Sequence, residues 1–153
     1  MLEPGAPAVD FSLKDQNNEE FTLSEHRGDR AVLVVFYPFA FTGICTSELN
    51  AIRDDPAFFS NDSVTTVTVS CDTVYAHKVF AERERFDFPL LSDFWPHGAV
   101  ARAYGVFSEP TGVALRGTFL VDRSGVIRFS ESNGLGQGRD PQGWRDAIAA
   151  LAS

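Results

Sequence analysis

Only two cysteines (Cys45 and Cys71), three histidines and one methionine occur in the 153-residue chain. Two thiols cannot build the cross-linked framework of a small secreted scaffold, and a chain of this length does not need one. The histidines (His26, His77 and His97) are scattered, with no C-x-x-C pair and no closely spaced histidines, so no metal site and no cofactor are expected. Basic residues are scarce too: 13 Lys and Arg against 21 Asp and Glu leave a net charge of −8. Such a surface repels polyanions, which sets aside nucleic acid and anionic membrane as partners; its plainer meaning is solubility. The longest apolar runs, such as Ala31 to Tyr37, are far too short to cross a bilayer. Met1-Leu2-Glu3-Pro4-Gly5 has neither the basic nor the apolar part of a secretory signal. The expectation is a cytoplasmic protein with two free thiols, each of them either core filler or chemistry.

What is present is an ordinary apolar fraction of 44%, rich in phenylalanine with 14 of them, enough for one core. No linker, repeat or low-complexity segment divides the chain, so residues 1–153 are expected to form one domain. Short strands are predicted at Phe11–Leu13 and Phe21–Leu23 around the polar turn Asp15-Gln16-Asn17-Asn18. Ala31 to Tyr37 is continuously apolar, as a strand buried on both faces requires, and Pro38 ends it because proline cannot donate to a ladder. A helix is predicted from Thr42 or Gly43 through Ile52, a Val/Thr-rich strand over Val64–Ser70 and a helix over Thr73–Phe86. A short strand at Pro89–Ser92 and a short helix from Gly98 to Tyr104 follow. Thr118–Val121 and Val126–Phe129 flank the turn Asp122-Arg123-Ser124-Gly125 as a hairpin. Asp140 or Pro141 opens a last helix carrying Trp144, Ile148 and Leu151 at core-facing spacing. Crossover units followed by an antiparallel hairpin predict an α/β, thioredoxin-like fold, a central mixed sheet flanked by helices.

The segment Phe36-Tyr-Pro38-Phe-Ala-Phe-Thr42-Gly-Ile-Cys45-Thr-Ser-Glu48 carries the chemistry. It places Cys45 just past the C-terminal end of a buried strand, where ligands of open α/β sheets bind, and in the first turn of a helix. Free backbone amides and the positive end of the helix dipole there favour the thiolate, the nucleophilic form. Thr42, three residues earlier, can donate to one oxygen of a peroxide and accept from the other. Pro38 offers a rigid apolar wall without an N–H. The constellation still needs a fixed cation for the thiolate and for the departing alkoxide, a task that suits an arginine fork.

Pro38-x-x-x-Thr42-x-x-Cys45 resembles the active-site motif of the peroxiredoxins, and Ala114-Leu-Arg116-Gly-Thr-Phe-Leu-Val-Asp122 resembles their arginine-bearing strand. The likeness runs from Gly5-x-x-Ala8-x-Asp10-Phe11 to the terminal helix. Leu90-Leu-Ser-Asp-Phe-Trp95-Pro-His97-Gly98 and Ala103-Tyr-Gly-Val-Phe107 are similar to the AhpE-type, one-cysteine branch. The resemblance implies that Cys45 is the peroxidatic nucleophile and becomes a sulfenic acid. It implies that Thr42 binds and orients the peroxide, Arg116 stabilises thiolate and transition state, Pro38 shields the site and Glu48 orients Arg116. It implies a hydroperoxide substrate: hydrogen peroxide, organic or lipid hydroperoxides, or peroxynitrite. It further implies an external thiol reductant, mycothiol with a mycoredoxin or another thiol or redoxin, and a homodimer.

Cys71 follows the Val64–Ser70 strand and could share a sheet edge with Cys45, so a resolving role is conceivable. Peroxiredoxins place resolving cysteines elsewhere, one group at the position of Asn50 here, and disulfide geometry is strict, so Cys71 reads mainly as structural. A dithiol oxidoreductase would carry a second cysteine three residues after the first, where Glu48 stands. A redox sensor needs the same reactive thiolate and differs only in lacking turnover. Gly134-Leu-Gly136-Gln-Gly138 lacks the lysine of a phosphate-binding loop and reads as a flexible connection.

Overall fold

The structure is a computed structural model and describes residues 1–151; residues 152 and 153, the last two of the expected single-domain span, lie outside it. In chain order the elements are β1 (Ser12–Lys14), β2 (Glu20–Thr22), a 3-10 turn (Leu23–His26), β3 (Ala31–Phe36), α1 (Gly43–Arg53), α2 (Pro56–Phe59) and β4 (Val64–Ser70). They continue with α3 (Val74–Glu84), β5 (Leu90–Ser92), α4 (Ala99–Ala103), β6 (Phe107–Ser108), β7 (Val113–Ala114), β8 (Arg116–Val121), β9 (Ile127–Asn133) and α5 (Pro141–Ala150). Seven strands form one sheet in the order β2-β1-β5-β4-β3-β8-β9. β3 pairs parallel with β4 and antiparallel with β8, and β4 pairs parallel with β5, so the sheet is mixed. This is the thioredoxin-like α/β arrangement expected from the pattern of elements.

β3 is buried at every position, and its alternation feeds two cores. Ala31, Leu33, Val35 and Tyr37 join Cys45, Leu49, Phe59, Phe80 and Trp144 on the face covered by α1, α2, α3 and α5. Val32, Val34 and Phe36 join Tyr104, Val106 and Phe119 on the face covered by α4 and the N-terminal segment. Trp144 of α5 is fully buried, with Ile148 and Leu151 partly buried beside it, and Asp140 caps that helix by accepting from the Gln142 amide at 2.9 Å. In the β8–β9 turn Gly125 takes φ +82°, a left-handed value that suits glycine.

Three elements and the 3-10 turn, which takes Leu23 out of the strand expected there, depart from the sequence reading. β6 and β7 pair as a separate two-stranded ribbon in a stretch for which the sequence suggests no element, and two residues per strand carry too little periodicity to register. The four-residue α2 was also absent from that reading, although Asp55-Pro56 is a helix-start signal with proline in the first turn.

His77 in α3 is fully buried. Burial holds its imidazole down at about 4, against the opposing pull of the Asp72 carboxylate 3.9 Å away. A histidine in the unfolded chain titrates near 6.5, so as pH falls the unfolded state takes up this proton first. The stability contributed by neutral His77 is therefore complete above about pH 6.5 and is lost as pH falls toward 4. Melting temperatures measured across that window are expected to drop, and His77→Gln to flatten the slope. A wild-type melting temperature that is flat there would contradict this account.

Candidate active site

The parallel β3–β4 pair ends at Phe36 and Val69, and the chain leaves β3 through Pro38 to enter α1. Thr42 stands at the N-cap position of α1, and the first intrahelical bond runs from the Thr46 amide to the Thr42 carbonyl at 2.9 Å. The amides of Gly43, Ile44 and Cys45 therefore have no carbonyl partner within the helix and give that end its partial positive charge. Cys45, third in the helix, is fully buried. The Thr42 hydroxyl does not cap: it donates to the Phe39 carbonyl at 3.0 Å and remains exposed. Its proton is thus committed, and its free lone pairs make it an acceptor. Pro38 is buried, whereas Phe39, Phe41 and Ile44 are exposed around the entrance.

Arg116, the first residue of β8, reaches this turn from across the sheet. Its Nη1 lies 3.3 Å from Cys45 Sγ and 2.6 Å from Glu48 Oε1, and its Nε donates to the Leu135 carbonyl at 3.0 Å. Nη2 makes no hydrogen bond among the described residues. Glu48 is buried, one turn after Cys45, and is held from the other side by Arg139. Arg139 donates from Nε to Oε2 at 2.8 Å, from Nη2 to Oε1 at 3.0 Å and from its backbone amide to Oε2 at 2.8 Å. Its remaining Nη1 donates to the Gly117 carbonyl and the Thr118 hydroxyl, at 2.9 and 3.0 Å. Burial pushes the Glu48 carboxyl up, but the hydrogen bonds and charge of Arg139 and the charge of Arg116 outweigh it and hold the group below the ordinary carboxylate range.

The charges in this buried cluster are unequal in number. Two guanidinium groups face one carboxylate, so the cluster carries one net positive charge until Cys45 supplies a thiolate. A buried net charge is costly, and the thiolate removes it. The arrangement sets the Cys45 sulfur in the first turn of a helix and 3.3 Å from a guanidinium nitrogen. That geometry suits nucleophilic attack on an electrophilic oxygen.

The structure brings together Cys45, Glu48 and Arg116, with Thr42 and Pro38 in the turn that leads to them. Arg139 went unread in the sequence. No local signal marks it, because its partner Glu48 lies 91 residues away in the chain. The glycine-rich stretch 134–138 is tied at both ends, by Leu135 to Arg116 and by Arg139 to Glu48, and Gly138 lies against Ile44, where a Cβ would come within 3.4 Å of its methyl.

Cys71 lies apart from this cluster. Val67 and Val69 point into the second core, and Cys71, beyond the end of β4, continues on that side beside Asp93 and Ala114. Cys45 belongs to the first core. Burial, reinforced by the Asp93 carboxylate, pushes the Cys71 thiol up to about 12.

The profile of the AhpC/TSA family matches residues 4–130. Alkyl hydroperoxide reductase E of Mycobacterium tuberculosis is 53% identical over 153 residues, covering all of both chains. The chloroplastic 2-Cys peroxiredoxin BAS1 of Spinacia oleracea is 33% identical over 157 residues, covering 96% of this chain and 58% of its own. Among solved structures, peroxidoxin BcpB of Mycobacterium tuberculosis superposes with a TM-score of 0.84 at 32% identity, covering 99% of this chain and 97% of the other. The reduced 2-Cys peroxiredoxin of Plasmodium vivax gives a TM-score of 0.89 at 26% identity, covering 99% of this chain and 83% of the other.

Proposed function

The chain belongs to the AhpC/TSA family as a peroxiredoxin, an enzyme of thiol-dependent peroxide reduction, and from that premise we propose that Cys45 is its peroxidatic nucleophile. The Cys45 thiolate attacks the terminal oxygen of a hydroperoxide, the O–O bond breaks, and the sulfur is left as a sulfenic acid. The departing alkoxide takes a proton and leaves as an alcohol, or as water when the substrate is hydrogen peroxide. The contact of 3.3 Å between Arg116 Nη1 and Cys45 Sγ, inside a cluster that a thiolate makes neutral, is the observation that carries this reading. The unengaged Nη2 of Arg116 is available to the oxygen that gains charge, and Thr42 accepts from the peroxide hydroxyl. Glu48 and Arg139 orient Arg116, and Pro38 walls the thiolate from bulk water.

Cys71 is read as structural. A thiol held near 12 and packed on the opposite face of the sheet is a poor attacker of a Cys45 sulfenic acid, so reduction falls to an external thiol. Mycothiol with a mycoredoxin, or another small thiol or redoxin, is the reductant class that fits. The exposed apolar rim of Phe39, Phe41 and Ile44 favours organic and lipid hydroperoxides alongside hydrogen peroxide and peroxynitrite. The exposed Phe94 and Trp95 provide apolar surface for a second copy in a homodimer. A cytoplasmic location, which keeps both thiols reduced, completes the reading, and cell fractionation tests it.

Intact-mass analysis after one equivalent of peroxide, with and without a sulfenic-acid trap, tests the chemistry. The expected product is one added oxygen atom trapped at Cys45, and native spectra of the same sample read the oligomeric state. Loss of two hydrogens with a Cys45–Cys71 link would make Cys71 the resolving residue instead.

A further inference from the structure

The turn from Pro38 to Thr42 carries an uncommon backbone. Phe41 has φ +69°, a left-handed value that a bulky residue keeps only when its surroundings impose it. Part of that imposition is local: the Phe41 ring packs on Phe80 at 5.1 Å beneath the Arg83 guanidinium, and the Thr42 hydroxyl holds the Phe39 carbonyl. Another part comes from across the sheet. The ladder of β3 on β4 reaches as far as the Tyr37 amide, which donates to the Val69 carbonyl at 2.9 Å. Pro38 has no N–H to continue it. The Ala40 amide then donates to Asp72 Oδ2 at 3.0 Å, so a side-chain carboxylate just beyond β4 takes the place of the next ladder carbonyl.

Asp72 is itself aimed. Its Oδ2 accepts the Ser70 hydroxyl at 2.6 Å, and its own carbonyl accepts the Ser92 hydroxyl at 2.6 Å. His77 Nε2 lies 2.7 Å from Ser70 Oγ. Because the serine proton is given to the carboxylate, the serine oxygen can only accept from the ring, so Nε2 carries the imidazole proton. Ser70 and His77 are fully buried. The result is one chain of donors running from His77 through Ser70 to Asp72, met from the other side by the Ala40 amide.

We propose that Asp72 is a positioning residue for peroxide reduction: aimed by the buried Ser70–His77 pair, its carboxylate fixes the Ala40 amide and so holds the Pro38–Thr42 turn in its reactive shape beside Cys45. The inference rests on the peroxidase reading above, and Asp72 touches neither the sulfur nor the peroxide. It predicts a split between two reactions of the same thiolate. Peroxide reduction needs the turn in register, and a displacement of about 1 Å can cost up to about 100-fold. Alkylation by iodoacetamide needs only the thiolate, which the Arg116 contact stabilises.

The test uses the full chain as Asp72→Ala and Asp72→Asn, with three readouts: Cys45 oxidation by hydrogen peroxide, alkylation of Cys45, and hydrogen exchange of the Ala40 amide. Asp72→Ala is expected to slow oxidation at least about tenfold, leave alkylation within about twofold and speed Ala40 exchange. Asp72→Asn, whose amide oxygen can accept the same two hydrogen bonds, is expected to bring oxidation back to within about threefold of wild type. Should Asp72→Ala not fold, Ser70→Ala, which keeps the carboxylate but removes its aim, is expected to show the same split at smaller size. Unchanged oxidation in Asp72→Ala, an equal fall in oxidation and alkylation, or no recovery with asparagine would each overturn the assignment of Asp72 alone. A wild-type protein that peroxide does not oxidise would overturn the peroxidase reading first, and this one with it.

Discussion

Cys45→Ser is expected to reduce peroxide consumption to the uncatalysed background, in any reductant system that supports the wild type. A serine hydroxyl is nearly isosteric with the thiol and can still accept from Arg116, so the helix and its ion cluster have no steric reason to fail. What it lacks is an accessible anion, and without one no bond to oxygen forms at neutral pH. The second thiol cannot stand in. Burial, reinforced by the Asp93 carboxylate, holds the Cys71 thiol up at about 12, and the guanidinium groups of Arg116 and Arg139 bond to Cys45 and Glu48 instead. Cys71→Ser is accordingly expected to stay within about twofold of wild type in the oxidation step, since nothing in the Cys45 cluster touches it. Peroxide consumption followed under identical conditions for both variants is the measurement. Turnover surviving in Cys45→Ser would move the reaction elsewhere in the chain.

The parts of this site that could be read in advance are those where one residue type serves one local purpose. β3 and β4 were legible because their apolar and β-branched runs have no other stable reading, and α1 because Thr42 and the apolar spacing at Cys45, Leu49 and Ile52 agree on its start and its buried face. Thr42 shows where such reading stops. Its place at the helix N-cap was legible, but the partner of its hydroxyl depends on the turn before it, where Phe41 is left-handed and the Phe39 carbonyl turns back toward Thr42. Arg139 and Asp72 were illegible for a related reason. Each sits in a connection whose local sequence reads as loop or helix start, and each gains its meaning from a partner far along the chain, Glu48 for one and the Ala40 amide for the other. Local periodicity carries no record of such pairs. Ser70 and His77 fall in the same class, polar residues inside an otherwise plain strand and helix whose burial becomes intelligible once Asp72 is placed beside them.

Arg116→Ala is expected to slow oxidation of Cys45 by about 100- to 1,000-fold, equivalent to about 3–4 kcal/mol of transition-state stabilisation. Two effects combine. The variant loses the donor that faces the departing oxygen, and it reverses the charge balance of the cluster: with Arg139 and Glu48 alone the buried charges already cancel, so forming a thiolate now creates a net negative charge instead of removing a positive one. The second effect predicts that alkylation of Cys45 at neutral pH slows together with peroxide reduction, in contrast to the split expected for Asp72→Ala. Arg116→Lys is expected to recover only part of the loss. One ammonium can supply the charge, but it cannot donate at once to the Leu135 carbonyl, to Glu48 and toward Sγ as the planar fork does, and it leaves no donor in the Nη2 direction. Second-order rate constants for hydrogen peroxide and iodoacetamide, measured on wild type and both variants at one pH, decide the matter. Equal peroxide rates in all three would remove Arg116 from the reaction, whereas a fall in peroxide rate with alkylation untouched would keep it at the leaving oxygen and remove it from the thiolate.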